Sequence, residues 1–366
     1  MIEKESMVIG MKTMYLRASL VVVFVILGVF FLSNLHKGIE RFEPDQVRVS
    51  VKKGTFEELR SRYPEISVLD ETTGLIGLPY GENQSYVAKF QKDNSIGGVT
   101  MIPVKPHFSF KLYRHAVTTN LQEMLDGKFG ELVYVERPGR AYSINHLLPD
   151  MLLRSLSYFA PALTGGMVLG ILFALMATRF HALAGIFDKL HVLIMSLPDV
   201  FLVVALQTVA ILLSKAAGHN VILIMQYVNQ IPFLIPFLSI MILPFMITYG
   251  TLRNGFEREW EQGYVKTAYS KGLTKRMVVL RHLFRNTLDD LLSVIPRIVS
   301  ISVASLVIVE IMTGIFGLGG YAINPYILSV TSLPTTCILL AGFVLLTHGA
   351  VALLRNKLII STKEGS

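Results

Sequence analysis

Long apolar segments, almost free of charged residues, alternate with short charged segments along most of the chain. A helix needs about 20 apolar residues to cross a bilayer. Six segments meet that length, at residues 18–35, 155–178, 190–214, 231–250, 291–313 and 335–354. The pattern therefore predicts six transmembrane helices. The uncharged stretch continues upstream of residue 231 to Val221 and contains three prolines, so we assign residues 221–230 to an outer interfacial segment.

Residues 36–150 follow a different pattern, in which charged residues, Gly and Pro return. From Val47 to Val51 valines alternate with polar residues, which is typical of a half-exposed strand. Residues 55–62 are predicted to form a helix capped by Thr55, and residues 120–125 are predicted to form another helix. Residues 100–111 look extended, and their prolines confine them to a sheet edge. We expect a small α+β domain outside the membrane, between the first and second spans.

The composition supports a membrane protein. The chain has 366 residues, of which 52% are hydrophobic and 16% charged, and its mean hydropathy is +0.53. These values are too apolar for an ordinary soluble protein. Cys337 is the only cysteine, so neither a disulfide nor a cysteine metal site is expected.

The net charge of +8 is concentrated in short loops beside the predicted spans. The proposed inner segments contain 16 Lys and Arg residues, whereas the two short outer loops contain only Lys215. Because cytoplasmic loops are enriched in Lys and Arg, both termini and residues 251–290 are predicted to be cytoplasmic. This placement argues against nucleic acid as a partner and for the lipid bilayer. Residues 1–35 are interpreted as a cytoplasmic terminus and an uncleaved span, a cleaved signal peptide being the competing interpretation.

Residues 261–290 are unusually basic, and the pattern predicts two short helices joined by a turn. Gly272 is expected to end the first helix in the left-handed conformation, and Thr274 to cap the second. Two apolar stripes at helical spacing are predicted: Leu252, Phe256, Trp260, Tyr264 and Ala268, then Met277, Leu280, Phe284, Leu288 and Leu291. Periodicity alone is equally typical of a basic helix pair lying on the membrane surface.

The individual residues add to this picture. The run Tyr264-Val265-Lys266-Thr267-Ala268-x-x-Lys271-Gly272-Leu273, followed by Arg281-His282-x-x-Arg285-Asn286-x-Leu288, resembles the cytoplasmic coupling loop (the EAA loop) of binding-protein-dependent ABC importer permeases, in their dipeptide/oligopeptide/nickel branch. In that family the loop docks on a separate ATPase. The resemblance implies eleven coupling residues: Tyr264, Lys266, Thr267, Ala268, Lys271, Gly272, Leu273, Arg281, His282, Arg285 and Asn286.

The resemblance extends from about residue 121 to 355 and implies the type I ABC importer permease fold. Residues 187–190 with Ser196-Leu197-Pro198 resemble the start of the family's third span. Val309-Glu310-x5-Phe316-Gly317-Leu318-Gly319 resembles the family's V-E-x5-P-G-L-G, with Phe316 where proline is usual. Candidates for the translocation path are Glu310, Asn324 and Tyr326. Because intramembrane charges are costly and usually face a partner, we weigh helix packing above substrate contact for Glu310.

The resemblance also implies the partners: a second, different permease chain, two ATP-binding subunits and an extracytoplasmic substrate-binding protein. No P-loop is present, so the chain is not expected to be an enzyme, and ATP and Mg²⁺ would bind to the partner ATPase. The expected location is a bacterial or archaeal cell membrane. The predicted organisation is 1–35, 36–150, a permease core over 151–355 that contains the 251–290 loop, and a cytoplasmic tail over 356–366.

Two alternatives stay open. A secondary transporter would show inverted repeats, and none is evident. A non-transporting membrane sensor or assembly subunit, with residues 36–150 as receptor, would need no ATPase-docking loop. Departures from the family pattern at Gly263, Asp289, Asp290 and Phe316 favour this second alternative. The cargo, a peptide or a related small solute, is left open by the sequence.

Overall fold

The computed structural model describes residues 20–134, 141–227, 230–321, 327–330 and 333–363. The chain divides into two compact units. The first comprises Met1–Asn145 and Leu328–Ile338, and the second His146–Ile327 and Leu339–Ser366.

The first unit contains an α+β arrangement. Its elements are α1 (Leu20–Ser33), a 3-10 turn (Leu35–Gly38), β1 (Ile39–Val51), α2 (Phe56–Arg62), β2 (Ser67–Asp70), β3 (Leu75–Gly77), α3 (Asn83–Gln91), β4 (Ile96–Phe108), α4 (Phe110–Leu125), β5 (Glu131–Tyr134) and β6 (Ala141–Ser143). Strands β1 to β4 form an antiparallel sheet in the order β2-β3-β1-β4. A second sheet has the order β6-β5-β7, where β7 is Ile327–Val330.

Local patterns predicted these elements well. Val47 and Val49 are buried in β1, as their alternation predicts, and they pack in a core with Phe90. The hydroxyl of Thr55 accepts a hydrogen bond from the Glu58 amide, which confirms the predicted cap of α2. Strand β4 lies at a sheet edge as predicted, but it ends at Phe108, because Ser109 caps α4. The helix predicted over residues 120–125 is the last part of α4.

The second unit is helical. Its elements are α5 (Ile144–Ala177), α6 (His181–Met195), α7 (Asp199–Ala217), α8 (Leu234–Trp260), α9 (Gly263–Ser270), α10 (Lys275–Val278), a π-helical turn (Val279–Leu283), α11 (Phe284–Thr313) and α12 (Leu333–Lys363). Helix α5 begins two residues before this unit, and α12 begins within the first.

Among the described residues, four helices are long and apolar enough to cross a membrane: Ile144–Ala177, Asp199–Ala217, Leu234–Trp260 and the continuous Lys275–Thr313. They coincide with four of the six predicted spans. The other two predictions fall on shorter apolar helices, Leu20–Ser33 and Leu333–Thr347. The count of six therefore stays a prediction.

The span predicted over residues 190–214 is wrong as a single helix. Helix α6 ends at Met195 and α7 begins at Asp199, with Ser196-Leu197-Pro198 between them. Pro198 has extended backbone (φ −64°, ψ 145°), and a proline disfavours helical conformation in the residue before it. The membrane-length helix is α7 alone. The fourth predicted span also extends further than expected, to Trp260.

Helices α5 and α8 approach each other closely at two glycines. A Cβ on Gly166 would lie 2.6 Å from the Met241 carbonyl oxygen, and one on Gly170 would lie 2.7 Å from Thr248 Cβ. Small residues of this kind let membrane helices pack backbone to backbone. The two helices therefore hold a fixed separation above the loop that follows α8.

Candidate functional site

The first predicted short helix of the loop is confirmed as α9, but the second is not a separate short helix, because α10 is the first turn of the continuous helix Lys275–Thr313. The stripe predicted to run along one helix from Leu252 to Ala268 is wrong in its continuity, because α8 ends at Trp260 and α9 begins at Gly263. Glycine destabilises a helix interior by about 1 kcal/mol relative to alanine, which favours a break here. The stripe residues on both sides of the break still pack into a common core.

The turn after α9 is a Schellman motif. The Leu273 amide donates to the Ala268 carbonyl (3.2 Å), and the Gly272 amide donates to the Tyr269 carbonyl (2.8 Å). Gly272 has φ +79°, as predicted. This pattern satisfies the last carbonyls of α9 and buries part of Leu273 against the core below the loop. The turn thus has a defined shape.

The second helix begins at the predicted cap, since the Thr274 hydroxyl accepts from the Met277 amide (3.4 Å). The apolar face predicted for it is displaced only at its start, because Phe284, Leu288 and Leu291 pack into the core as predicted. Met277 and Leu280 are each 49% exposed, whereas Val278, Val279 and Leu283 are buried. The π-helical turn inserts an extra residue, which rotates the buried face relative to a regular helix.

A hydrophobic core lies beneath the loop. It joins side chains from the ends of α5, α6 and α8 with side chains from the loop helices and the start of α11. Its buried members are Ala174, Ala177, Ala184, Tyr249, Leu252, Phe256, Val265, Ala268, Val278, Val279, Leu283 and Leu291. The loop is therefore packed on three helices.

A polar cluster fastens the loop to its flanking helices. Glu259 Oε2 accepts from Tyr264 Oη (2.6 Å) and from Asn286 Nδ2 (3.0 Å), and Asn286 Nδ2 also donates to Tyr264 Oη (3.1 Å). Burial, together with the hydrogen bond to Glu259, raises the pKa of Tyr264 to about 12. Sequence reasoning missed Glu259. The sequence contained a signal for this residue, because Glu259 is an acidic residue close to a long run of basic residues.

Ion pairs also join α8 to its neighbouring helices near the loop. Arg258 Nη2 lies 2.5 Å from Asp290 Oδ2, so one departure from the family pattern has a partner on α8. Arg253 lies 2.7 Å from Glu257 and 3.4 Å from Asp188, which also accepts from Tyr249 Oη (2.7 Å). Such exposed or half-exposed pairs are screened by solvent and contribute little each to stability.

The predicted coupling residues divide by exposure. Seven are exposed: Lys266, Thr267, Lys271, Gly272, Arg281, Arg285 and Asn286. Tyr264, Leu273 and His282 are half-buried, and Ala268 is buried, so these four support the loop from below. Three large side chains are exposed on the same surface: Tyr269, which sequence reasoning missed, and Met277 and Leu280, which it had assigned to the apolar stripe. The outer surface of the loop is thus basic with apolar side chains among the charges.

The only tryptophan in the chain adjoins this loop. The Trp260 ring lies 6.4 Å from the Tyr269 ring, and the Lys275 ammonium lies 5.3 Å from the indole centre. Trp260 also lines a cavity of about 400 Å³ together with Arg253 and Glu257. Its fluorescence therefore reports on the packing of the loop.

Of the three residues proposed for the translocation path, the structure describes only Glu310. Asn324 and Tyr326 lie outside the described residues. Glu310 is fully buried and accepts hydrogen bonds from Ser155 Oγ, Tyr158 Oη and two backbone amides, which favours the packing role. Asp199 accepts a hydrogen bond from Ser305 Oγ (2.5 Å). The two carboxylates thus have separate partners.

Four apolar helices of membrane length and an exposed basic loop define a multi-pass membrane protein. Residues 166–360, just over half of the chain, match the family "Binding-protein-dependent transport system inner membrane component". The chain belongs to this family, and it is an ABC importer permease of the cell membrane.

The chain is also similar to two known proteins. It is 26% identical over 164 residues to the "Dipeptide transport system permease protein DppB" of Bacillus subtilis (strain 168). That match covers 44% of this chain and about half (51%) of the relative. A solved structure, "Inward facing conformations of the MetNI methionine ABC transporter: CY5 native crystal form", is similar over 59% of this chain and 97% of its own, with 18% identity and a TM-score of 0.42.

Proposed function

We propose that the chain forms the translocation path of an ATP-driven importer for peptides or a related small solute, and that residues 261–290 couple it to a separate ATPase. The observation that carries this proposal is the loop itself. Its two short helices have a fixed turn, a buried apolar underside and an exposed basic surface. A surface of this kind is more typical of a segment that docks into a groove on another protein than of a flexible linker.

The packing of the loop on the long helix provides a way to transmit a displacement of the loop to the membrane helices. Helix α10, the π-helical turn and α11 form one continuous helix from Lys275 to Thr313. At 1.5 Å per residue its 39 residues extend about 58 Å, which is longer than the hydrocarbon core of a bilayer. A push on the loop would therefore move this helix and its neighbours as a packed body, and the path would alternate between inward-facing and outward-facing states.

The arrangement of partners is part of the proposal. Both termini and the 251–290 loop would be cytoplasmic, and residues 36–150 extracytoplasmic. A second permease chain would complete the path, two ATPase subunits would bind ATP and Mg²⁺, and an extracytoplasmic binding protein would deliver the cargo. The likeness to a dipeptide permease supports peptides as the cargo class. Asn324 and Tyr326 are proposed to line the outer part of the path.

Charge reversal tests the docking surface. Lys271→Glu and Arg281→Glu change two exposed cations of the loop. Each should abolish co-purification with the ATPase, because the surface would present an acid where the partner meets a base. Lys215→Glu is the matched control, since Lys215 is equally a surface cation but lies on the predicted outer side. Unchanged co-purification of both loop variants would refute the assignment, and uptake by the chain without any ATPase would favour a secondary transporter.

A further inference from the structure

Helix α4 carries large apolar side chains on its exposed face. Phe110, Leu121 and Leu125 are 70%, 48% and 79% exposed. At 100° per residue these three positions fall within about 60° around the helix axis. The exposed side chain of Arg114 lies in the same sector. This face is therefore an apolar strip with one cation, and it needs an apolar environment.

The beginning of α4 is fastened to the end of α1. Tyr113 Oη donates to the Phe31 carbonyl (2.9 Å), and the Ser109 amide donates to the Gly38 carbonyl (2.8 Å). Phe31 lies in the last turn of α1, which ends at Ser33. Because α1 is the first proposed span, Phe110 lies close to the level at which the chain leaves the membrane.

The end of α4 is fastened to the start of α5. Asn145 Nδ2 donates to the Gly127 carbonyl (2.5 Å), and Asn145 Oδ1 accepts from the Phe129 amide (3.0 Å). Asn145 is the second residue of α5, the helix that forms the next span. A 16-residue helix is about 24 Å long. Helix α4 is thus attached at one end to α1 and at the other to the first turn of α5, which are both proposed spans.

An apolar cavity lies between the end of α1 and the end of β4. Its volume is about 580 Å³, and Leu32, Leu35, Ile39 and Phe108 are among its lining residues. Each of these four side chains is also at least 43% exposed. The lipid-facing surface of α1 thus continues through the cavity wall toward Phe110 without an intervening charged side chain among the residues that line the cavity.

We propose that α4 is an interfacial helix. Phe110, Leu121 and Leu125 insert at the boundary between headgroups and acyl chains, Arg114 contacts lipid phosphate, and a phospholipid acyl chain occupies the cavity beside Phe108. Apolar residues with an interspersed cation are what such helices use. The inference rests on the proposed membrane crossing of α1.

Spin labels measure this contact directly. Cys337→Ser removes the only cysteine, so single cysteines can replace Phe110 or Leu125 and carry a nitroxide. Leu69 is the matched control, because it is 52% exposed on β2, at the sheet edge opposite β4 and about 14 Å away. Full-length protein is reconstituted in phosphatidylethanolamine–phosphatidylglycerol vesicles. Collisions with oxygen, relative to a water-soluble nickel chelate, should be at least about threefold more frequent at positions 110 and 125 than at position 69.

Two outcomes would overturn the proposal. Equal ratios at positions 110, 125 and 69 would mean that α4 faces water. Low access of both reagents at positions 110 and 125 would mean that a protein surface covers the strip. A label at Phe24, which is 78% exposed on α1, checks the span itself, and nickel access there would remove the foundation of the proposal. No ATPase is present, so failure of the coupling assignment leaves these readings unchanged.

Discussion

Replacing Glu310 should destabilise the chain far more than replacing an exposed glutamate. The Glu310 carboxylate is completely buried, and each of its oxygens accepts two hydrogen bonds. Ser155 Oγ (2.5 Å) and Tyr158 Oη donate to Oε1, while the amides of Gly319 (2.6 Å) and Gly320 (2.8 Å) donate to Oε2. The side chain thus joins α11 to α5 and to the backbone that follows Phe316.

The magnitude follows from this geometry. In Glu310→Gln one end of the side chain becomes an amide donor that faces two other donors, so about two buried donors lose their acceptor. Each such loss costs about 1–3 kcal/mol, and we expect a total of about 3 kcal/mol. Glu310→Ala leaves four donors without an acceptor and adds a cavity, so it should cost at least about 4 kcal/mol.

Thermal unfolding of the purified protein in detergent, followed by circular dichroism, measures the effect. About 3 kcal/mol corresponds to a fall in the melting temperature of about 4 °C in a chain of this size. Glu257→Gln is the control, because Glu257 is an exposed residue paired with Arg253, and this substitution should cost less than about 1 kcal/mol. Equal melting temperatures for Glu310→Gln and Glu257→Gln would refute the buried acceptor role.

Two further predictions concern the loop, and Trp260 fluorescence reports both. A Cβ at Gly272 meets no atom within 4 Å, so the cost of a substitution there comes from its φ of +79°. In denaturant titrations Gly272→Ala should destabilise the loop by about 1 kcal/mol and Gly272→Asn by less. Equal costs for the two substitutions would contradict a purely conformational role. The pKa of Tyr264 is about 12 against an ordinary value of 10.0, so its contribution is complete below pH 10 and is lost as pH rises toward 12. Tyr264→Phe should therefore reduce the change in Trp260 emission between pH 10 and 12, and an identical change in both proteins would contradict the hydrogen bond to Glu259.

The sequence determined the features that depend on near neighbours in the chain. The apolar length of a segment decides whether it can cross a bilayer, so four of the six spans predicted from the sequence overlap described helices of membrane length. The caps at Thr55 and Thr274 and the left-handed turn at Gly272 depend on three to five consecutive residues. The alternation around Val47 predicted a strand, because one face of that strand packs against a core.

Features that join distant parts of the chain were decided by the tertiary structure. Glu310 was recognised as an intramembrane charge, but its donors include two residues more than 150 positions away, and no periodicity encodes that distance. The partnership of Glu259 with Asn286 is of the same kind. A break between α6 and α7 escaped detection because apolar content is the same on both sides of Pro198.

The buried face of the second loop helix shows the physical reason most clearly. A regular helix would bury Met277 and Leu280, yet the π-helical turn rotates Val278 and Leu283 into the core instead. Which of these side chains are buried depends on how the loop packs against the ends of α5, α6 and α8. The sequence determined that a basic two-helix loop exists, and only packing against three distant helices decided which of its residues face outward.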